Sequence, residues 1–227
     1  NSVNGKTDTN GQVIMPLLEH KSYIVGYPDG TFLPDGDMSR AEAAAIFARL
    51  ISEEKDETIS GKSSFKDTDK NGWYADYIGY LEKYKIIEGY NDSTFKPDAP
   101  VTRAECVAML VRYYSLFKDG YTVKYTDVSK NYWAYDDIAY AKNIGWLNGY
   151  ADGTFKGDNN ITRAEVVTVT NHATGRTADK DYINKNESTL NKFTDLKNNA
   201  HWACCEIMEA ANTHKAASSD KAETWVK

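Results

Sequence analysis

Apolar residues recur along this chain in short runs at helical spacing, each run following a polar stretch rich in Gly, Asp and Thr. The clearest run is Cys106, Val107, Met109, Leu110 and Tyr113, whose spacing predicts one buried helix face. Ala43, Ala44, Ile46, Phe47 and Leu50 form an equivalent stripe, as do Val166, Val167, Val169 and Ala173, with Thr170 and Asn171 weakening the end of the third. These helices open on Ser39-Arg40-Ala41-Glu42, Thr102-Arg103-Ala104-Glu105 and Thr162-Arg163-Ala164-Glu165. Each opening is a capping box, in which the hydroxyl holds the third helical N–H and the Glu reaches back. A second kind of amphipathic helix is predicted after Trp73, Trp133 and Trp202, as in the stripe Ile78, Leu81 and Ile86.

The segments 26–51, 89–114 and 149–174 align without a gap, so the chain is built from repeats of roughly 60 residues. Gly26, Gly89 and Gly149 end what precedes them, and Gly30 and Gly153 tolerate a positive φ. Ser93 stands at that place in the middle copy, where the turn is either strained or of another type. Phe32, Phe95 and Phe155 follow as single apolar anchors. Between these segments lie 65–87, 125–147 and 193–214, each with an aromatic, then Asp67, Asp127 or Asp195, then the Trp. The Asp is expected to cap the following helix or its preceding turn. Burial tendencies put the Trp in the core, with a groove-lining role as the alternative.

One recurring residue has no evident local task. An Arg at the first helical position opposes the helix dipole by a few tenths to about 1 kcal/mol. Its threefold recurrence points to a guanidinium kept for something outside the helix. Together with the free N–H groups beside it, it would suit a carboxylate or phosphate. On this reading Arg→Ala leaves folding nearly intact.

Composition narrows the function. The chain has 227 residues and a formal net charge of −6, which argues against generic nucleic-acid or anionic-membrane binding. No run of about 18 apolar residues occurs, so no membrane insertion is expected. With no initiating Met, signal peptide or lipidation motif, the chain reads as a mature or excised piece of something longer. The 16 Tyr and 5 Trp suit a carbohydrate-facing surface, although packing accounts for most such rings. Cys106, Cys204 and Cys205 form no disulfide framework, and Cys106 falls on an apolar helix face.

Catalytic and metal chemistry find little support. Asp67-Thr-Asp69-Lys-Asn71-Gly72 resembles the start of a calcium loop, but the twelfth position is Ile78 and the sister copies lose the oxygen ligands. His20, His172, His201 and His214 are scattered without HExxH or triad order. A glycosidase carboxylate pair is disfavoured because every recurring acid has a capping role and occurs three times, whereas a catalytic site is single. No metal, cofactor or enzymatic activity is expected.

The order F-x-D, W-[AY], helix, G-Y-x-D-G-T-F, [ST]-R-A-E, helix resembles the S-layer homology (SLH) module of bacterial surface proteins, from about Tyr23 to His214. The resemblance implies a mainly α fold, a pseudo-threefold spindle of three helix-pair repeats with short loops. It implies grooves that hold secondary cell wall polysaccharide, often through a pyruvylated sugar, at an extracellular bacterial surface. The family's TRAE arginine carries over to Arg40, Arg103 and Arg163, and its turn residues to Asp29, Gly30, Asp92, Asp152 and Gly153. Trp73, Trp133 and Trp202 complete the ligand-binding set if they line grooves. Ser93, Gly157 in place of the proline at Pro34 and Pro97, and Ser39 in place of Thr depart from the pattern. The implied function is non-catalytic cell wall anchoring. A structural lattice protein contacting neighbouring surface-layer subunits is the alternative, and a carbohydrate-active enzyme the remoter one.

The halves occur in permuted order, beginning with a rear half and ending with a front half. Expected boundaries are a linker at 1–20 and a rear half at 21–55 completed by a closing front half at 193–215. Full repeats are expected at 62–118 and 122–175, a polar crossover at 176–192 and a tail at 216–227. Met15 to Ile24 is read as a short helix or strand, with a remnant of a front helix among the options because Leu18-Glu19 aligns with Leu81-Glu82. The Trp202 helix is expected to pack beside the Arg40 helix, because a lone helix pair cannot bury its apolar face.

Overall fold

A computed structural model describes the chain except for residues 1–5, 8–12, 15–16, 115–119, 197–199, 219–222 and 227. The fold is predominantly helical. By contacts it divides into two compact units, one of residues 33–173 and one of residues 1–32 with 174–227.

The unit of residues 33–173 carries α1 (Arg40–Lys55), α2 (Ala75–Lys83), α3 (Arg103–Tyr113), α4 (Tyr135–Asn143) and α5 (Arg163–Thr174). Capping boxes are present at Ser39/Glu42 and Thr102/Glu105, and the same reciprocal bonds join Thr162 and Glu165. The predicted stripes are buried apart from half-buried Tyr113 and Ala173 at their ends, with Phe47, Cys106 and Leu110 at 0% exposure. Burial raises the Cys106 thiol to about 12, so it behaves as a small apolar side chain. Helix α1 packs on α2 and α3, and α3 packs on α4. Thr170 and Asn171, expected to weaken the last stripe, are themselves fully buried in α5.

Just ahead of α1, α3 and α5 the backbone closes a three-membered cycle. Met38 N–H donates to Ile161 O at 3.1 Å, Ile161 N–H to Val101 O at 3.1 Å, and Val101 N–H to Met38 O at 2.8 Å. All three side chains are buried, at 3% exposure or less. Three segments roughly 60 residues apart thus satisfy one another's backbone groups, as a repeat protein must.

In the other unit, β1 (Lys6–Thr7) pairs with β2 (Val13–Ile14), and β3 (Leu17–His20), β4 (His214–Ser218) and β5 (Glu223–Val226) form an antiparallel sheet in that order. The segment around Leu18-Glu19 is therefore a strand and not a remnant helix. Most of the expected linker lies outside the described residues, but within 1–20 the strands β1, β2 and β3 are formed. The crossover carries α6 (Lys180–Asn186) and a 3-10 turn (Glu187–Thr189), because Ile183 supplies a fully buried anchor. Helix α7 (Cys204–Ala211) ends before His214, which belongs to β4. The expected tail contributes β5, whose Trp225 is 3% exposed.

Candidate functional site

Three near-identical turns recur along the chain. Asp29 accepts the Thr31 amide and hydroxyl, Asp92 those of Thr94, and Asp152 those of Thr154, at 2.5–3.0 Å. Those hydrogen bonds lower each carboxyl, and Asp152 falls to about 2. Gly30 and Gly153 have φ of 83° and 81°, and Ser93 adopts the same conformation at 66°. The middle turn is thus of the same type, with the strain that an L-residue carries there. Gly26, Gly89 and Gly149 are required by crowding. A Cβ on Gly89 would lie 2.3 Å from Phe65 and 2.6 Å from Thr94 O, and the other two copies repeat this.

The recurring Asp of the front half does not cap its own helix, since α2, α4 and α7 lack a side-chain cap. Asp67 instead accepts the Phe95 and Lys96 amides, each at 2.7 Å, and Asp127 those of Phe155 and Lys156 at 2.8 and 2.7 Å. In the same manner Asp195 accepts the Phe32 amide at 2.9 Å, while Thr194 N–H donates to Gly30 O at 2.8 Å. Lys96 and Lys156 sit at φ of 56° and 57°, and the carboxylates hold that unfavourable backbone in place.

The arginines are the main departure from expectation. Arg40, Arg103 and Arg163 are only 2%, 8% and 2% exposed. Arg40 donates Nε to Phe95 O at 2.6 Å, Nη1 to Glu105 Oε1 at 2.6 Å and Nη2 to Glu88 O at 3.1 Å. Arg103 repeats the pattern with Phe155 O and Glu165 Oε1, at 3.1 and 2.8 Å. Arg163 donates to Glu42 Oε1 at 2.7 Å, which closes a ring of three ion pairs. The helix N–H groups beside them are also occupied. Arg40 and Ala41 donate to Ala99 O and Pro97 O, each at 2.9 Å, and Arg163 and Ala164 to Gly36 O and Pro34 O, also at 2.9 Å. The guanidinium therefore has a structural task, the clamping of one repeat to the next.

Tyr90, which the sequence reading passed over, joins this clamp. Its ring lies 4.9 Å from the Arg40 guanidinium and its hydroxyl donates to Glu105 Oε1 at 3.0 Å. Tyr150 does the same with Arg103 and Glu165. Burial raises both phenols. Their recurrence directly after Gly89 and Gly149 was the available signal.

Next to the clamp lies a groove of about 490 Å³ bounded by Arg40, Tyr90, Asn91, Met109, Arg112 and Trp133. Arg112 pairs with Glu88 at 2.9 Å, and Glu88 is largely exposed. The tryptophans stand clear of the core, contrary to their burial tendency, with Trp73, Trp133 and Trp202 at 58%, 56% and 65% exposure. No sequence signal marked Arg112, because its counterparts are Arg49 and His172.

The S-layer homology domain model matches residues 5–44, 64–106 and 124–167. The chain belongs to the S-layer homology domain family. Cell surface glycoprotein 1 of Acetivibrio thermocellus is 33% identical over 220 residues, covering 92% of this chain and 9% of that protein. The cellulosome-anchoring protein of the same organism is 36% identical over 205 residues, covering 86% of this chain and 43% of its own length. An S-layer protein of Bacillus licheniformis is 34% identical over 150 residues, covering 65% of this chain and 17% of that protein. The SLH chain thus spans less than half the length of each of these relatives. No helix among its described residues is long and apolar enough to cross a membrane.

Proposed function

We propose that this SLH chain is a non-catalytic module of the bacterial cell surface that anchors its parent protein by holding secondary cell wall polysaccharide in a groove between repeats. Family membership and the surface and anchoring relatives support the anchoring role. The observation that carries the ligand class is the exposed Trp133 ring beside Arg40, Arg112 and Asn91. Such a groove offers an apolar plate for a sugar face, an amide for hydroxyls and, in Arg112, a guanidinium for an acidic substituent such as a pyruvyl group.

The residues divide the work. Arg40 lines the groove, but Glu105 and Phe95 O already hold its Nη1 and Nε, and the lining acids Glu88 and Glu105 balance the two guanidinium charges. Arg112 is the better direct contact, because its bond to exposed Glu88 is a surface pair of about 0–1 kcal/mol that an incoming anion can replace. Arg103 and Arg163 take the role of Arg40, and Trp73 and Trp202 that of Trp133. Asp29, Gly30, Asp92, Asp152 and Gly153 shape the turns and offer backbone groups to the ligand. Neighbouring surface-layer subunits are the second class of partner.

Co-sedimentation with wall sacculi tests the reading. The protein should pellet with intact sacculi and remain in solution once the secondary polymer has been stripped. Equal pelleting with stripped sacculi would overturn it. Assembly into large particles without wall, read by light scattering, would instead assign the chain to a lattice.

A further inference from the structure

The unit of residues 1–32 and 174–227 contains a buried polar cluster that the anchoring role does not use. Its centre is Glu209 on α7, which is 0% exposed. His20 Nδ1 of β3 lies 3.1 Å from Glu209 Oε1, and His214 Nε2 of β4 lies 3.2 Å from the same oxygen. Trp225 Nε1 of β5 donates to Oε2 at 2.9 Å. Beyond His20, Glu223 Oε1 stands 3.6 Å from Nε2, while its Oε2 accepts the Thr177 amide at 2.8 Å.

Counting protons shows that something is needed between these atoms. His214 Nδ1 lies 2.9 Å from the Asn212 carbonyl, which can only accept, so Nδ1 carries the hydrogen. In the neutral ring Nε2 then presents a lone pair. That nitrogen is buried, makes no hydrogen bond and faces a carboxylate oxygen. Two lone pairs at this distance repel unless a cation, either a proton or a metal ion, sits between them.

The geometry favours a metal ion. Nitrogen and oxygen ligands held at about 2.0–2.2 Å around a tetrahedral ion lie roughly 3.3 Å apart. The two nitrogen–oxygen separations of 3.1 and 3.2 Å fit this, and all three donor atoms lie within 4.8 Å of one another, so the imidazoles need close by at most about 1.5 Å. The surroundings are also those of a metal centre. Asn212 O fixes the far nitrogen of His214, Trp225 holds the far oxygen of Glu209, and the Trp225 ring stacks on His214 at 3.7 Å.

We propose that His20, Glu209 and His214 bind one divalent transition-metal ion of the zinc class, which fastens β3 and β4 to α7. Two imidazoles and one carboxylate select such an ion over magnesium or calcium, which take oxygen ligands. A water fills the fourth position, and Glu223 faces the far nitrogen of His20. This site is independent of the wall-binding reading. Its ligands come from segments 189 residues apart, which is why the histidines look scattered in the sequence.

The test uses the whole chain, stripped with a chelator and then titrated with Co²⁺ and Zn²⁺. One equivalent of Co²⁺ should develop the intense visible bands of a four-coordinate site, and one equivalent of Zn²⁺ should bleach them. Zn²⁺, but not Mg²⁺ or Ca²⁺, should raise the unfolding temperature. H214A and E209Q should each weaken binding by about tenfold or more. Absence of stoichiometric binding, or unchanged binding in both variants, would overturn the proposal. So would a near-ultraviolet thiolate band, which would move the ion to a cysteine. Should a variant fail to fold, the Co²⁺ spectrum of the unaltered chain decides the case.

Discussion

Arg40 and Glu105 form a 2.6 Å ion pair across 65 residues, and the same carboxylate closes the capping box of the helix it belongs to. Glu105 Oε2 accepts the Thr102 amide at 2.9 Å, while Oε1 receives Arg40. One acidic residue thus starts a helix and ties it to the preceding repeat. Repetition of this arrangement at Arg103–Glu165 and Arg163–Glu42 makes the clamp cyclic, so a defect at one junction weakens a closed ring.

Arg40→Ala is therefore expected to destabilise the fold. Breaking a well-buried pair costs about 3–5 kcal/mol, and the partial exposure of Glu105 reduces this to roughly 2–4 kcal/mol. Arg103→Ala should cost less, because both members of its pair are more exposed. Denaturant unfolding checks the order. Equal stability of Arg40→Ala and the parent would show that the pair contributes nothing to folding.

Thr102→Ala removes the hydroxyl that accepts the Glu105 amide at 3.2 Å, together with the methyl beside it. The expected loss is about 0.5–2 kcal/mol, with polymer affinity unchanged well below the unfolding temperature. A variant of parental stability that no longer pellets with sacculi would make the hydroxyl a ligand contact.

Trp133→Ala should do the reverse. With the ring 56% exposed, stability should change by less than about 0.5 kcal/mol, as at most surface sites. Loss of an aromatic face should weaken polymer binding by roughly 0.5–1.5 kcal/mol, a few-fold to about tenfold in Kd. Calorimetry with soluble polymer fragments avoids the avidity of intact wall. Unaltered Kd would remove Trp133 from the site.

Acid should loosen the turns late. The Thr154 hydrogen bonds hold Asp152 at about 2, below the ordinary value of 3.8. A depressed carboxyl stabilises the fold above its unfolded value, and that contribution is lost as pH falls through the folded one. The Asp152 turn should thus persist at pH 4 and open between about pH 4 and pH 2. Carboxyl NMR titration reads this, and a midpoint near 4 for Asp152 would contradict the turn geometry.

Local features were legible in the sequence because their causes are local. A hydroxyl three residues before a Glu builds a capping box from neighbouring atoms, and a 3.6-residue apolar period defines a buried face wherever the helix lies. The same reasoning located the turns at Asp29, Asp92 and Asp152 and placed the chain among SLH modules. What the sequence could not convey was which distant groups would meet. An Arg at a helix start looks unemployed until the carbonyl of Phe95 and the carboxylate of Glu105 arrive beside it from the next repeat. Asp67 looks like a cap until the amides of Phe95 and Lys96 are seen to need it more. Trp133 reads as core by its composition, and only the packing of α3 and α4 leaves its ring in the open beside a groove. Helix starts and stripes depend on bonds within a few residues. Clamps, grooves and the cluster of His20, Glu209 and His214 depend on contacts that chain closure alone creates.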